Sequence, residues 1–319
     1  MQLGISPWAW VTGRPIAAKG VWNGKSGFRV PVPSFRRSRV LVRHSGMAHN
    51  SADEMIRHYT AADEASRLRT GWFQLEQVRT QELILRHLQP APARVLDVGG
   101  AAGAYACWLA SRGYRVHLID PVPNHVEQAL AASAKLSQHP LASATLGDAR
   151  QLQHPGRSAE AVLLLGPLYH LTERDERLAA LREAHRVLRG GGLVWAAAIS
   201  RFASLLDSLS HAFFDDPEFS SILDRDLAEG QHRNPTGNPN YFTDAFFHLP
   251  DELAGEVTEA GFELVELLAV EGPGWLARDF DRIWSIPQQR DRLLAALRKV
   301  EHQPALLGAS SHILAIGRK

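Results

Sequence analysis

Cysteine is nearly absent from the 319 residues, Cys107 being the only one. That excludes an internal disulfide and a cysteine-based zinc cluster, and it fits a reducing cytoplasm. Cys107 lies in a helically patterned stretch among apolar neighbours, the setting of a buried, inert thiol. No apolar run approaches the roughly 18 residues of a membrane-spanning helix. The stretch from Ala159 to Leu171 is interrupted by Gly166 and Pro167. Acidic residues are missing from positions 1–46, which hold Arg14, Lys19, Lys25, Arg29, Arg36, Arg37, Arg39 and Arg43. The other 27 basic and 34 acidic residues leave the rest of the chain at a charge of about −7. That balance argues against a nucleic-acid-binding body, whose footprint is a basic face.

What is present is a large apolar fraction, 45% of residues, enough to bury one sizeable core. Three parts follow from patterning. Residues 1–46, rich in Gly, Pro and Ser, read as a disordered or leader segment, with Met47 as an alternative start. Residues 47–92 read as an N-terminal helical lid of two helices, with Leu75, Val78, Leu83, Ile84 and Leu88 on one face and Pro90 and Pro92 ending the pattern. Residues 93–319 read as the main domain. In it, short apolar runs at 94–98, 115–119, 144–146, 161–165 and 193–199 alternate with helical stretches, the last of these helices opening on a capping-box pattern, Thr172 to Asp175. This rhythm predicts a doubly wound, Rossmann-like parallel sheet. Residues 201–250 break the rhythm and read as a cap inserted after the fifth strand. Two further helices, at 250–260 and 287–300, and strands at 263–270 and 311–317 complete the domain.

Gly99-Gly100-Ala101-Ala102-Gly103 follows the first strand and opens a helix. Such a turn lets backbone N–H groups approach a ligand, and the helix N-terminus adds partial positive charge. It lacks the G-x-G-x-x-G spacing of the nicotinamide fingerprint, which disfavours a nicotinamide-dependent reductase. Asp120 ends the second strand, where a carboxylate can accept from ribose hydroxyls. Asp148, after Gly147, ends the third, where an acid can accept from an adenine amino group.

With those markers in order, residues 56–318 resemble the class I S-adenosylmethionine-dependent methyltransferases, in particular bacterial small-molecule members. Asp97 to Gly103 looks like the family's first motif and Asp120, followed by Pro121, like its ribose-binding acid. Gly147-Asp148-Ala149 resembles the adenine-side motif. Leu165-Gly166-Pro167-Leu168-Tyr169-His170 resembles the fourth-strand motif bordering the methyl group. Ala101 stands where a glycine is usual, and Gly190 where a proline is common. The resemblance implies a seven-stranded sheet with an antiparallel last strand, S-adenosylmethionine as cofactor and S-adenosylhomocysteine as product. It also implies a leading helix over the site, which brings Tyr59 and Arg79 to the cofactor, Arg79 pairing with the methionine carboxylate. His170 and Tyr169 are then the catalytic candidates, His170 as a base titrating near neutrality.

The acceptor is sought in the cap. Its concentration of His211, Phe213, Phe214, His232, Tyr241, Phe242, Phe246, Phe247 and His248 suits a planar or apolar small molecule. Trp275, in Gly272-Pro273-Gly274-Trp275, is placed over the same pocket. The substrate-binding candidates are His211, Tyr241, Phe242, Phe246, His248 and Trp275. The histidines lack a metal-ligand spacing, so no metal is expected. The expected activity is methyl transfer to oxygen, nitrogen or carbon of a small, aromatic or apolar metabolite. The alternatives are RNA methylation and a non-catalytic S-adenosylmethionine-binding regulatory protein. The oligomeric state, monomer or homodimer, is left open by the sequence.

Overall fold

Apolar alternation along the strands decides which face of the sheet each residue enters. The computed structural model describes residues 67–211 and 214–319, without the side chains of His211 and Pro239. The expected leader, the first lid helix, Tyr59, Phe213 and the side chain of His211 lie outside the described residues.

The chain enters through α1 (Phe73–His87), β1 (Arg94–Val98), α2 (Ala104–Ala110), β2 (Arg115–Asp120), α3 (Pro123–Ser133), β3 (Ser143–Leu146) and β4 (Ala159–Leu164). It continues through a short α4 (Pro167–His170), α5 (Arg174–Val187) and β5 (Leu188–Ile199). The cap holds α6 (Ala203–His211), α7 (Pro217–Glu229) and a ribbon of β6 (Gln231–His232) and β7 (Ala245–Phe246). Then come α8 (Pro250–Glu259), β8 (Glu263–Ala269), α9 (Phe280–Ser285), α10 (Pro287–Val300), α11 (Pro304–Leu307) and β9 (His312–Arg318).

Seven strands form one sheet in the order β3-β2-β1-β4-β5-β9-β8. The first five are parallel, and β9 runs antiparallel to both β5 and β8. Leu96, Val98, Val162, Leu164, Val194 and Ala196 enter the core layer of α5 and α8. Their neighbours Val95, Ala161, Leu163, Trp195 and Ala197 enter the layer of α1, α2 and α3. Because both faces are covered, the strands read as nearly continuous apolar runs.

Two local expectations are corrected. α5 is not capped by Thr172: its N-cap is Glu173, whose side chain makes no capping bond. The carbonyls of Leu171 and Thr172 instead accept from the buried Arg177 guanidinium at 3.0 and 2.9 Å. β5 begins at Leu188 and carries Gly190 to Gly192 inside the strand, past a register shift against β4. Three glycines signal a chain break in sequence, but here the strand bulges against β4 while the backbones of Gly191 and Gly192 pair with Lys319.

Candidate active site

The C-terminal ends of the parallel strands and the N-terminal end of β9 lie on one edge, because Ile199 pairs with His312 in antiparallel register. A cleft of about 320 Å³ opens there, within the range of small-molecule sites. Of the expected cofactor residues, Asp97, Gly99, Gly100, Ala101, Asp120, Pro121, Asp148, Ala149, Leu165 and Gly166 line it. Gly103 opens α2 behind the turn and is not part of the lining.

The turn after β1 is held from three sides. Asp120 Oδ2 accepts from Ala101 N at 2.9 Å, while Oδ1 accepts from Val122 N at 2.9 Å and contacts His125 Nδ1 at 3.0 Å. A carboxylate oxygen has two acceptor sites, so Oδ2, with a single partner, can still accept from a ligand. Gly99 has φ +70°, and a Cβ there would lie 2.7 Å from Pro167 Cγ, so only glycine allows α4 to close on the turn. Ala101 adopts φ 47° in the same turn, a left-handed conformation that costs a non-glycine residue about 1–2 kcal/mol. Asp97 is buried with Oδ2 lacking a hydrogen-bond partner. Burial, reinforced by the neighbouring Asp120 charge, pushes its carboxyl up to about 7. Asp148 behaves differently: hydrogen bonds from Arg150 hold its carboxyl below the usual range.

The far end of the cleft is walled by Tyr169, His170, Val270, His312 and Leu314. Tyr169 and His170 sit edge to face with ring centroids 4.6 Å apart, and Phe242 backs His170 at 5.9 Å. Behind His312, on the loop after β8, lies the fully buried Glu271. Its Oε1 is 2.7 Å from His312 Nδ1, and its Oε2 accepts from His312 N at 2.9 Å and Ser310 Oγ at 2.8 Å. Burial by itself would keep both groups neutral, but their mutual attraction prevails, holding the Glu271 carboxyl low and the His312 imidazole high. From α1, Glu76 faces the cleft and is held by Arg67 in a forked pair at 2.7 and 3.2 Å.

The structure moves several expected residues away from the cleft. Arg79 is fully buried and faces the opposite way: Nε donates to Val270 O at 3.1 Å and the guanidinium pairs with Glu82 and Glu301. The arginines that line the cleft are Arg67 and Arg150. Among the described side chains of the substrate set, none lines the cleft. Phe246 lies under the Arg177 guanidinium, 3.7 Å from ring centroid to Cζ. His248 Nε2 meets Glu256, itself paired with Arg177. Tyr241 packs on Phe219, and its hydroxyl donates to Asp216. Trp275 donates from Nε1 to Ala309 O and packs beside Trp72. Phe246 and His248 fasten the cap to the body, whereas Tyr241 packs within the cap and Trp275 within the body. Phe242 alone among them reaches the site, through His170.

Sequence reasoning passed over Arg67, Glu76, Tyr105, His125, Glu271 and His312. A usable signal existed for two: Glu271 directly follows the expected strand 263–270, and His312 begins the last strand, so antiparallel pairing brings both to the ligand edge.

Residues 95–192 match the protein family described as "Methyltransferase domain". A ubiquinone/menaquinone biosynthesis C-methyltransferase from Caulobacter sp. (strain K31) is 27% identical over 208 residues, covering 60% of this chain and 77% of that one. An uncharacterised methyltransferase of Mycobacterium bovis is 36% identical over 112 residues, 34% of this chain and 42% of that protein's length. Among solved structures, a SAM-dependent methyltransferase from Methanosarcina mazei superimposes with a TM-score of 0.50 at 19% identity, covering 74% of this chain and 96% of that one. The last likeness concerns the fold alone.

Proposed function

The chain belongs to the class I S-adenosylmethionine-dependent methyltransferases, and on that premise we propose that it methylates oxygen, nitrogen or carbon of a small, aromatic or apolar metabolite. The observation that carries this reading is the continuity of one cleft, from Asp97 and Asp120 at one end to Tyr169, His170 and His312 at the other. Its volume and its apolar wall of Ala197, Val270 and Leu314 favour a small acceptor.

The residues fit the cofactor. Asp97, a buried carboxylate with an unpartnered oxygen, suits a cationic group, and the Gly99–Ala101 turn offers backbone to a nucleoside. When bound, S-adenosylmethionine supplies an electrophilic methyl carbon on a sulfonium. The protein's own contribution is alignment and exclusion of water. Asp120 keeps the turn in shape and offers the remaining acceptor site of Oδ2 to a ribose hydroxyl. Asp148, Ala149 and Pro121 flank the base. Tyr169 and His170, carried on α4 by the close approach of Pro167 to Gly99, orient the acceptor. No described helix is long and apolar enough to cross a membrane.

The test is incubation of the full chain with methyl-labelled S-adenosylmethionine and fractionated cell extract. The expected outcome is label in a small-molecule fraction. Label recovered only in RNA or protein, or no calorimetric binding of S-adenosylhomocysteine, would refute the proposal.

A further inference from the structure

Resting on the methyl-transfer reading, the geometry points to His312 as the general base of this cleft, positioned by Glu271, for an acceptor hydroxyl of the phenol or enol class. His312 lines the cleft, whereas Glu271 lies behind it. Nδ1 is the nitrogen directed at Glu271, 2.7 Å away. A carboxylate in that position can only accept, so Nδ1 carries the proton in neutral His312 and Nε2 is left with its lone pair on the cleft side. This is the arrangement in which a buried acid sets the tautomer of a histidine base. Glu271 is itself immobilised by Ser310 Oγ and by the backbone N–H of His312, so the ring orientation is fixed before any acceptor enters.

The charges around the ring decide its strength. Burial opposes the imidazolium, Glu271 and Glu76 together outweigh it, and Arg67 opposes it to a smaller extent. Tyr105, Tyr169 and His170 line the same cleft, and Asp97, Asp120, His125, Asp148, Arg150 and Glu176 are its other titratable groups. His170 differs from His312 in its company: it is held between the rings of Tyr169 and Phe242, which suits orienting a planar acceptor.

The class of acceptor follows from matching base to acid. A carboxylate acceptor needs no base, and an aliphatic alcohol is too weak an acid for an imidazole to help much. A phenol or enol hydroxyl lies close enough in acidity for transfer during the displacement. In that step the acceptor O–H proton passes to His312 Nε2 and the oxygen forms a bond to the methyl carbon. The S–CH3 pair returns to sulfur, leaving S-adenosylhomocysteine. His312 then releases its proton to water at the mouth of the cleft.

Glu76, Glu271 and His312 also bring ligand atoms within 4.8 Å of one another, the spacing of a metal site. A divalent ion would have to displace Arg67 from Glu76 and strip the Nδ1 proton from His312. The existing partners thus favour the proton-transfer assignment over the metal.

The experiment uses the full chain, labelled with 15N-histidine and saturated with S-adenosylhomocysteine, with 4-nitrophenol as the acceptor probe. The His312 signal, assigned by its loss in His312→Gln, should show the Nδ1–H tautomer when neutral. Its titration midpoint should fall in Glu271→Gln. Should that variant not fold, Ser310→Ala, which removes one bond to Glu271, should move the midpoint the same way. At a pH below the free probe's own midpoint, wild type should bind it as the coloured phenolate, and His312→Gln at least about tenfold less so, with cofactor-product affinity unchanged. The Nε2–H tautomer, equal phenolate on His312→Gln, absence of bound phenolate on wild type, or phenolate that appears only with added Mg2+ or Mn2+ would each overturn the assignment. Failure of S-adenosylhomocysteine to bind at all would instead overturn the methyltransferase reading beneath it.

Discussion

Asp97 shows how one side chain can serve ligand binding at the expense of stability. Its carboxyl is buried, has an unpartnered oxygen and lies near Asp120. Between the ordinary value of 3.8 and about 7, the folded protein keeps a proton that the unfolded chain releases. Stability from this group is therefore full at low pH and declines as pH rises through that window. Asp97→Asn removes the dependence. The ligand-free variant should melt at a higher temperature than wild type at pH 8, with the difference vanishing toward pH 4. It should also bind S-adenosylhomocysteine at least about tenfold more weakly, since a charge-assisted bond is lost. A variant no more stable at pH 8, judged by calorimetric melting, would remove the ionised Asp97 as a source of strain. Asp97, Asp120 and Asp148 were legible in the sequence because each lies at or just past the C-terminal end of a strand, a position that the β-α rhythm itself marks. Glu271 and His312 were marked only by their places at strand ends, and their pairing was not legible because 41 residues separate them.

At the level of elements, the cap is joined to the body through polar groups removed from water. Arg177 of α5 makes a forked pair with Glu256 of α8, donates to two carbonyls and stacks on Phe246 of β7. Both partners are nearly inaccessible, at 2% and 4% side-chain exposure, so the loss of one leaves a buried charge unpaired. Arg177→Met should lower stability by about 3–5 kcal/mol, and adding Glu256→Leu should restore part of it. Urea unfolding of the single and double variants checks this; an additive loss would show that the two do not act as a pair. The cap's helices were obscure in sequence for a related reason. Its aromatic and imidazole groups suggested a binding wall, yet in three dimensions most of them turn inward to satisfy one another. His248 and Phe246 are explained by Glu256 and Arg177, residues on other elements that no local reading connects to them.

Across the whole molecule, the sheet carries both ends of the cleft on one edge because β9 reverses direction. Had β9 run parallel, His312 would stand at the opposite end from Ile199 and from the cleft. The division proposed near Met47 makes a prediction at this scale. A chain beginning at Met47 should bind S-adenosylhomocysteine with the affinity of the full chain, at both low and high salt. A salt-dependent loss of affinity on truncation would assign the basic segment a part in ligand capture. The sequence by itself determined the five parallel strands, the turn after β1 and the acids at the strand ends, since all three depend on short-range order along the chain. Only the tertiary structure decided which arginine faces the cleft, which aromatics are structural and which histidine meets a carboxylate. Those outcomes depend on burial and on antiparallel register, which set the partners of Arg79, Phe246 and His312 from residues far away in sequence.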